Sequence, residues 1–326
     1  MTTITTQMNI ALEHLQRGDV VAIPTETVYG LAADATNEDA VKKIFAIKNR
    51  PLNHPLIMHV CHDWDLSQWV SEIPDYAQRM MDAFWPGPLT LVLNCHNKAI
   101  NPFVNGGQSS IAIRAPKHDL TEALLRQLNR PLVAPSANPF GQVSPTTAKH
   151  VAHSFPHEDF LILDGGRCVV GIESTIVQAT HHEGYAVLRP GMIHAQTIEK
   201  AFGKPRVAQS GSPRVSGQLD THYMPQKKLY YVDDWQELEE RFLSIRGDIY
   251  AISLSEHTPP RQVAYHHPLS SDASIVAYQL YDTLRQADHS PADVIVIELP
   301  PDEVRWQAIR EKIMKAGQRL QASFNQ

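Results

Sequence analysis

The chain has 326 residues, of which 43% are hydrophobic and 20% charged, with 29 basic against 35 acidic residues and a net charge of -6. That length holds two domains or one large one, and the apolar share supports a packed core and excludes a disordered chain. Divided at Pro205, both parts stay slightly acidic, which excludes binding of nucleic acid over the whole surface and leaves room only for a local RNA contact.

Strands and helices alternate from the start. Asp19–Thr25 (DVVAIPT) is a short apolar run that predicts a strand. Asn37 predicts the cap of a helix reaching Lys48, with Val41, Ile44 and Phe45 on one face and Pro51 as its stop. Leu56–Val60, Leu89–Leu93, Ser110–Arg114, Leu132–Pro135 and Phe160–Leu163 predict further strands. Helices are expected between them at Asp75–Phe84, Leu120–Leu128 and Thr146–His153. Ser174–Gln178 and Ala186–Leu188 add two strands, and the whole predicts an α/β domain with a mixed sheet. From Gly203 to Gln226 the chain is rich in Gly, Pro and Ser without apolar period, and it reads as a linker. A second alternation follows: strands at Leu229–Val232, Ile249–Leu254 and Val294–Glu298, and helices near Trp235–Phe242, Ala273–Arg285 and Asp302–Ala316. It predicts a small parallel, Rossmann-like unit, without the GxGxxG that would mark a dinucleotide site.

Cys61, Cys95 and Cys168 lie far apart and form no CxxC pair, so buried thiols in a reducing cytosol are expected. The N-terminal MTTITTQMNIALEHLQRGD lacks the pattern of a signal peptide, and no apolar run reaches the ~20 residues that cross a bilayer. A cytoplasmic protein without a membrane partner is the expectation.

Four basic residues fall at the ends of predicted elements: Lys48 and Arg50 in KNRP, Arg114 at the end of SSIAIR, and Arg189 before the turn RPG. Loops past strand ends are where α/β folds place ligands, and an arginine fork holds two oxygens of a phosphate or carboxylate. Singly, each reads as a solvated surface charge; together, if they converge, they form an anion pocket. Ser136 and Asn138 in APSANPFG, Glu173–Thr175, and the turn PTETVYG at Pro24–Gly30 offer hydroxyls, an amide and backbone N–H groups, or merely shape turns. His59 ends a strand, where a structural role is the commoner one. The pairs His181–His182 and His266–His267 are poor metal sites because neighbours on a strand face opposite ways, and no metal site is expected.

In order, PTETVYGLAADA, KNRPLNHPLIMHV, WPGPLTLVL, SSIAIRAP, PLVAPSANPFGQVSPT, DGGRCVVGIESTIV and VLRPGMI cover most of residues 18–193. This series resembles the YrdC-domain family, and specifically its long, two-domain threonylcarbamoyl-AMP synthases. The resemblance implies a twisted mixed sheet with a basic cleft at 1–204, a linker that acts as an active-site lid at 205–227, and a Rossmann-like domain at 228–326. It implies synthesis of threonylcarbamoyl-AMP from L-threonine, bicarbonate and ATP, with magnesium on the phosphates. The product would pass to partner proteins that modify position 37 of tRNA.

By motif position, Lys48, Arg50, Ser136 and Asn138 match a family tetrad at the reaction centre. Arg50, His54, Ser110, Ser136, Ser144, Arg189 and Tyr223 fall at ATP-contacting positions, and Thr27, His59, Arg114, Ala134 and Ser174 at threonine-contacting ones. Two positions depart from the family pattern: His54 stands where Asn is usual, and Ser216 where the linker usually has Pro. Two other readings compete with this one. One is an RNA-binding or chaperone protein using the basic cleft. The other is a hydrogenase-maturation factor with a YrdC-like domain, whose zinc-finger cysteines this chain lacks.

Overall fold

A computed structural model describes residues 1–96, 99–203, 212–217, 221–235, 245–254 and 263–320. They fall into two units, one of Met1–Phe140 with Ser144–Gln218, the other of Gly141–Val143 with Leu219–Gln326.

In the first unit the elements run β1 (Thr3–Thr5), α1 (Met8–Gln16), β2 (Val21–Ile23), β3 (Gly30–Asp34), α2 (Glu38–Lys48), β4 (Ile57–His59), α3 (Asp75–Phe84), β5 (Leu89–Asn94), α4 (Pro102–Asn105) and β6 (Ser110–Arg114). They continue with α5 (Asp119–Leu128), β7 (Leu132–Val133), α6 (Ala148–Ser154), β8 (Leu161–Leu163), β9 (Thr175–His181), β10 (Gly184–Arg189) and α7 (Ala195–Phe202). The strands form one mixed sheet in the order β1-β8-β2-β3-β7-β4-β6-β5-β9-β10.

Alternation along the strands decides what each face of this sheet does. On β6, Ile111 and Ile113 enter the main apolar core, together with Leu89, Leu91 and Leu93 of β5, Met58 of β4 and Val177 of β9. Successive side chains point to opposite faces, so Ser110, Ala112 and Arg114 share the other one with Thr90, Val92 and His59. Over β2, β3 and β7 that second face is covered by α1 and α5, through Ala11, Leu15, Leu124, Leu125 and Leu128. Over β6, β5 and β9 the cover is different: Val215, from the segment after the first unit's last helix, seats on Val92, Ala112 and Ile176. The polar side chains of the second face therefore lie beneath loops and not beneath a helix.

Local signals explain most of the elements. Asn37 caps α2 by accepting from the Ala40 N–H at 3.1 Å, as expected. The helix stops before Pro51, because Asn49 turns left-handed (φ 51°) and the Arg50 N–H reaches back to the Phe45 carbonyl. That reversal fixes Lys48 inside the last turn and Arg50 just past it. β1, α1, β3, α4 and α7 were not expected from the sequence. Strand β3 (GLAAD) has no β-branched residue; its pairing with β2 and β7, and not its propensity, makes it a strand. Trp85 is a core residue whose indole N–H donates to the Leu89 carbonyl at 2.8 Å. All three cysteines are buried and free; burial raises the Cys61 thiol to about 11 and the Cys168 thiol to about 12.

The second unit contains β11 (Lys228–Val232), β12 (Ile249–Leu254), β13 (Tyr265–Leu269), α8 (Ala273–His289), β14 (Val294–Glu298), α9 (Gln307–Ala316) and β15 (Gln318–Arg319). All pairings are parallel, in the order β13-β12-β14-β11-β15, with β14 buried along its whole length. Strand β13 is an addition to the expected alternation. It carries His266 and His267, which turn to different partners, Ser253 and Thr283. Of the helix expected near Trp235–Phe242, residues 236–242 lie outside the described residues, as do 204–211 and 218–220 of the linker. No described helix is long and apolar enough to cross a membrane.

Candidate active site

The parallel pairing of β4 and β6 sets His59 directly beside Arg114 at two strand ends. Arg114 is buried and engages three groups. Its Nη2 pairs with the Glu26 carboxylate at 2.7 Å, its Nη1 donates to Thr27 Oγ1 at 2.8 Å, and its Nε donates to the Gly87 carbonyl at 3.3 Å. Thr27 is oriented in turn. Thr25 Oγ1 spends its proton on the Val28 carbonyl, so in the 2.9 Å contact between the two threonines Thr27 is the donor. The turn PTETVYG thus holds a hydroxyl and a carboxylate on one guanidinium.

His59 is buried, and burial followed by the charge of Arg114 lowers it to about 3. Its ring is neutral at physiological pH. Nδ1 lies 3.2 Å from the Ile57 carbonyl, which can only accept, so Nδ1 carries the proton and Nε2 is left as an acceptor. The β5–β6 register places Thr90 opposite Arg114. Thr90 Oγ1 lies 2.7 Å from Ser174 Oγ, and Arg189 donates to both the carbonyl (2.9 Å) and the hydroxyl (3.1 Å) of Ser174. Ser144 donates to Glu173 at 2.6 Å. Thr27, His59, Arg114, Ser174 and Arg189 therefore come together, and Arg189 joins the threonine-type positions more closely than the sequence suggests.

A second group forms around the end of α2. Lys48 Nζ donates to the carbonyls of Ser136, at 2.5 Å, and of Asn138, while its own carbonyl accepts from the Phe140 N–H. Arg50 donates through Nη2 to the Pro55 carbonyl at 2.8 Å and lies over the Phe140 ring, 5.4 Å from its centroid. Its Nε is buried without a hydrogen-bond partner among the described residues. Burial, then Arg50, pushes Lys48 well below the usual lysine range, and burial pushes Arg50 down to about 10. His54 packs edge-on against Phe140 at 5.2 Å; burial first, then Arg50 and Arg214, lower its pKa. Gly30 and Ser136 form a β-bridge, and a Cβ at Gly30 would meet Ala134 Cβ at 2.9 Å. Only glycine allows this approach, which ties the turn holding Thr27 to the loop holding Ser136 and Asn138. Ser110 lies at the far end of β6 from Arg114, about 13 Å along the strand at ~3.3 Å per residue.

Lys48, Arg50, Arg114 and Arg189 are 1, 7, 4 and 3% exposed. All four are buried, so none of them is a solvated surface charge. Among the described residues only Arg114 has a carboxylate partner; the other three are held by carbonyls and hydroxyls. Tyr223 lies in the other unit, fully buried, stacked on Tyr281 at 5.7 Å with Lys312 Nζ 5.3 Å from its ring.

A family model described as telomere recombination matches residues 13–191, and one described as the C-terminal domain of threonylcarbamoyl-AMP synthase matches 193–317. The threonylcarbamoyl-AMP synthase of Bacillus subtilis is 37% identical over 314 residues, covering 93% of this chain and 90% of the relative. The chain belongs to the threonylcarbamoyl-AMP synthase family. The synthase of Pyrococcus abyssi is 33% identical over 95% of this chain and 94% of its own length. A crystal structure of P. abyssi Sua5 complexed with L-threonine superposes with a TM-score of 0.86 at 30% identity, over 98% of this chain and 99% of that one. Of the residues matched by motif position, all but Tyr223 lie in the first unit.

Glu26 and Thr90 take part in this arrangement although the sequence reading singled out neither. Glu26 is the only acidic residue of PTETVYG, and it is buried.

Lys48 is a strut as well as a charge. Lys48→Met removes the two charged hydrogen bonds that its ammonium gives to the Ser136 and Asn138 carbonyls, at about 1.5–3 kcal/mol each. We expect a lowered melting temperature together with lost turnover, and a smaller stability loss in Arg50→Ala; a Lys48→Met protein melting like wild type would overturn the strut. His59 gives a pH signature. Its folded pKa, about 3, lies below the unfolded ~6.5, so its contribution is present above pH 6.5 and is lost as the pH falls toward 3. Between pH 6 and 4 wild-type stability should fall more steeply than that of His59→Gln, by up to ~1.4 kcal/mol per pH unit; parallel curves would show that His59 is not buried neutral.

Proposed function

We propose that the chain condenses L-threonine, bicarbonate and ATP into threonylcarbamoyl-AMP, pyrophosphate and water, the threonine nitrogen bonding to the bicarbonate carbon as one oxygen leaves as water. The observation that carries this reading is the surplus of buried positive charge: Lys48, Arg50 and Arg189 have no carboxylate partner among the described residues. A threonine-derived carbamate and a triphosphate are both anions, and bringing them together demands preorganised cations. The carbamate oxygen forms a bond to the α-phosphorus, the bond to the bridging oxygen breaks, and the electron pair leaves with pyrophosphate.

Arg114, Thr27, Ser174 and the free Nε2 of His59 suit the small amino acid: a guanidinium for its carboxylate, and acceptors for its ammonium and hydroxyl. Arg50, with Lys48, Ser136 and Asn138, suits the phosphates; His54 adds a ring nitrogen at their edge, Ser110 and Ser144 add hydroxyls, and Ala134 leaves room through its small side chain. Among the described residues no group of three or more His, Cys, Asp or Glu could hold a metal ion, and magnesium would enter with ATP as part of the substrate. Val215, seated over Ala112 between the ends of β6, supports a role for residues 212–217 in excluding water from a hydrolysable mixed anhydride. The anhydride would be consumed by proteins that transfer the threonylcarbamoyl group to tRNA.

The purified protein should release pyrophosphate and form a threonine-containing adenylate only when ATP, threonine and bicarbonate are all present. Equal turnover with serine would refute the threonine assignment. Salt-sensitive RNA binding without pyrophosphate release would favour the RNA-binding alternative instead.

A further inference from the structure

The segment Ser212–Gly217 is fastened to the first unit at three points. Val215 seats in the apolar patch of Val92, Ala112 and Ile176. Arg189 Nη1 donates to the Ser216 carbonyl at 3.0 Å. The third fastening is a side-chain amide: Gln108 Nε2 donates to the Arg214 carbonyl at 3.0 Å, and Gln108 Oε1 accepts from the Arg214 N–H at 2.7 Å. One side chain thereby satisfies both backbone groups of Arg214, as a neighbouring strand would. Gln108 is itself held, because its Nε2 also donates to the Asn105 carbonyl at 3.1 Å.

This clamp aims the Arg214 side chain. Its Nη2 donates to the Gly106 carbonyl at 3.1 Å. Gly106 lies against the loop that carries His54: a Cβ there would meet the Asn53 carbonyl oxygen at 2.7 Å. The same loop ends at Pro55, whose carbonyl accepts from Arg50. The path Arg214–Gly106–loop 53–55–Arg50 is short, and His54 between the two guanidinium groups is affected by both. Arg214 has no carboxylate partner among the described residues, and its side chain is exposed where Arg50 is buried.

We infer that Arg214 is a further phosphate-binding residue, carried into place by the clamp on Gln108, and that it takes the terminal phosphates of ATP, which depart as pyrophosphate. This rests on the proposed synthesis of threonylcarbamoyl-AMP. Lys48 and Arg50 are buried, and a more exposed cation held beside loop 53–55 suits the end of the triphosphate that must leave. A guanidinium suits it better than an ammonium, since its planar fork spans two phosphate oxygens. Gln108 is a positioning residue that acts only through Arg214.

The test compares wild type, Arg214→Ala, Arg214→Lys and Gln108→Ala for the KM of ATP, the KM of threonine, and the affinity for inorganic pyrophosphate by calorimetry. Arg214→Ala should weaken pyrophosphate binding and raise the KM of ATP by about tenfold or more, as loss of a charged hydrogen bond does. Its KM for threonine at saturating ATP should stay within twofold, and Arg214→Lys should recover part of the loss. Gln108→Ala should shift the same two quantities less, with the melting temperature of Arg214→Ala unchanged. Unaltered pyrophosphate affinity in Arg214→Ala, or an equal rise in both KM values, would overturn the assignment. A wild-type protein that makes no adenylate would refute the proposed reaction, and the calorimetry would still decide whether Arg214 binds pyrophosphate.

Discussion

Positive charge held out of water without negative charge beside it is the constraint on which the first unit is built. An ion taken into a protein interior loses several kcal/mol of hydration, and a carboxylate partner is the usual remedy. Among the described residues only Arg114 receives one, from Glu26. Lys48, Arg50 and Arg189 are held instead by oriented carbonyls and hydroxyls, which stabilise a cation without cancelling its charge. The depressed pKa of Lys48 and of Arg50 reports the cost of that choice. An anionic ligand reverses it, because a nearby negative charge favours the protonated forms. The site is therefore least comfortable without its substrates, which is the electrostatic arrangement that a reaction between two anions requires.

The cover over this site is light. Residues 212–217 are fastened by the Gln108 amide, one Arg189 hydrogen bond and the side chain of Val215. Arg189 links the strap to Ser174, and Arg214 links it to Gly106, which lies against the loop of Asn53. The first of these links thus ends on a residue of the site itself. Ser216 stands where the family pattern has proline, and its backbone is free of a ring, so the strap depends more on these fastenings.

How much of this was legible in the sequence differs from residue to residue. The face of β6 that carries Ser110 and Arg114 could be read from SIAIR, because strict alternation leaves one assignment of its two isoleucines. The end of α2 could be read approximately; the left-handed Asn49 that orients Arg50 could not, since asparagine serves in many turns. Strand β3 was invisible because Gly-Leu-Ala-Ala-Asp becomes a strand only through partners supplied by β2 and β7. Gln108 and Arg214 lie 106 residues apart in the chain, and nothing in either local sequence announces a side-chain amide pairing with a distant backbone. Chemistry made by one chain segment was legible; chemistry made by a contact between segments was not.

Tyr223 shows the converse limit, where a motif is legible and its physical role is not. Its position marks it as an ATP-contacting residue by resemblance. In the structure its backbone is left-handed (φ 63°), and its ring is packed between Tyr281 and the ammonium of Lys312, with His222 edge-on at 4.1 Å. A non-glycine residue in that conformation is retained only where its surroundings over-determine it. Here a stacked ring, a cation over its face and full burial do so. Its side chain is committed to the packing of the second unit, where removal would open a cavity in addition to any effect on nucleotide. Loss of activity on truncating Tyr223 therefore measures the anchoring of the linker at least as much as contact with ATP. That separates it from Arg214, whose exposed guanidinium has little packing to lose.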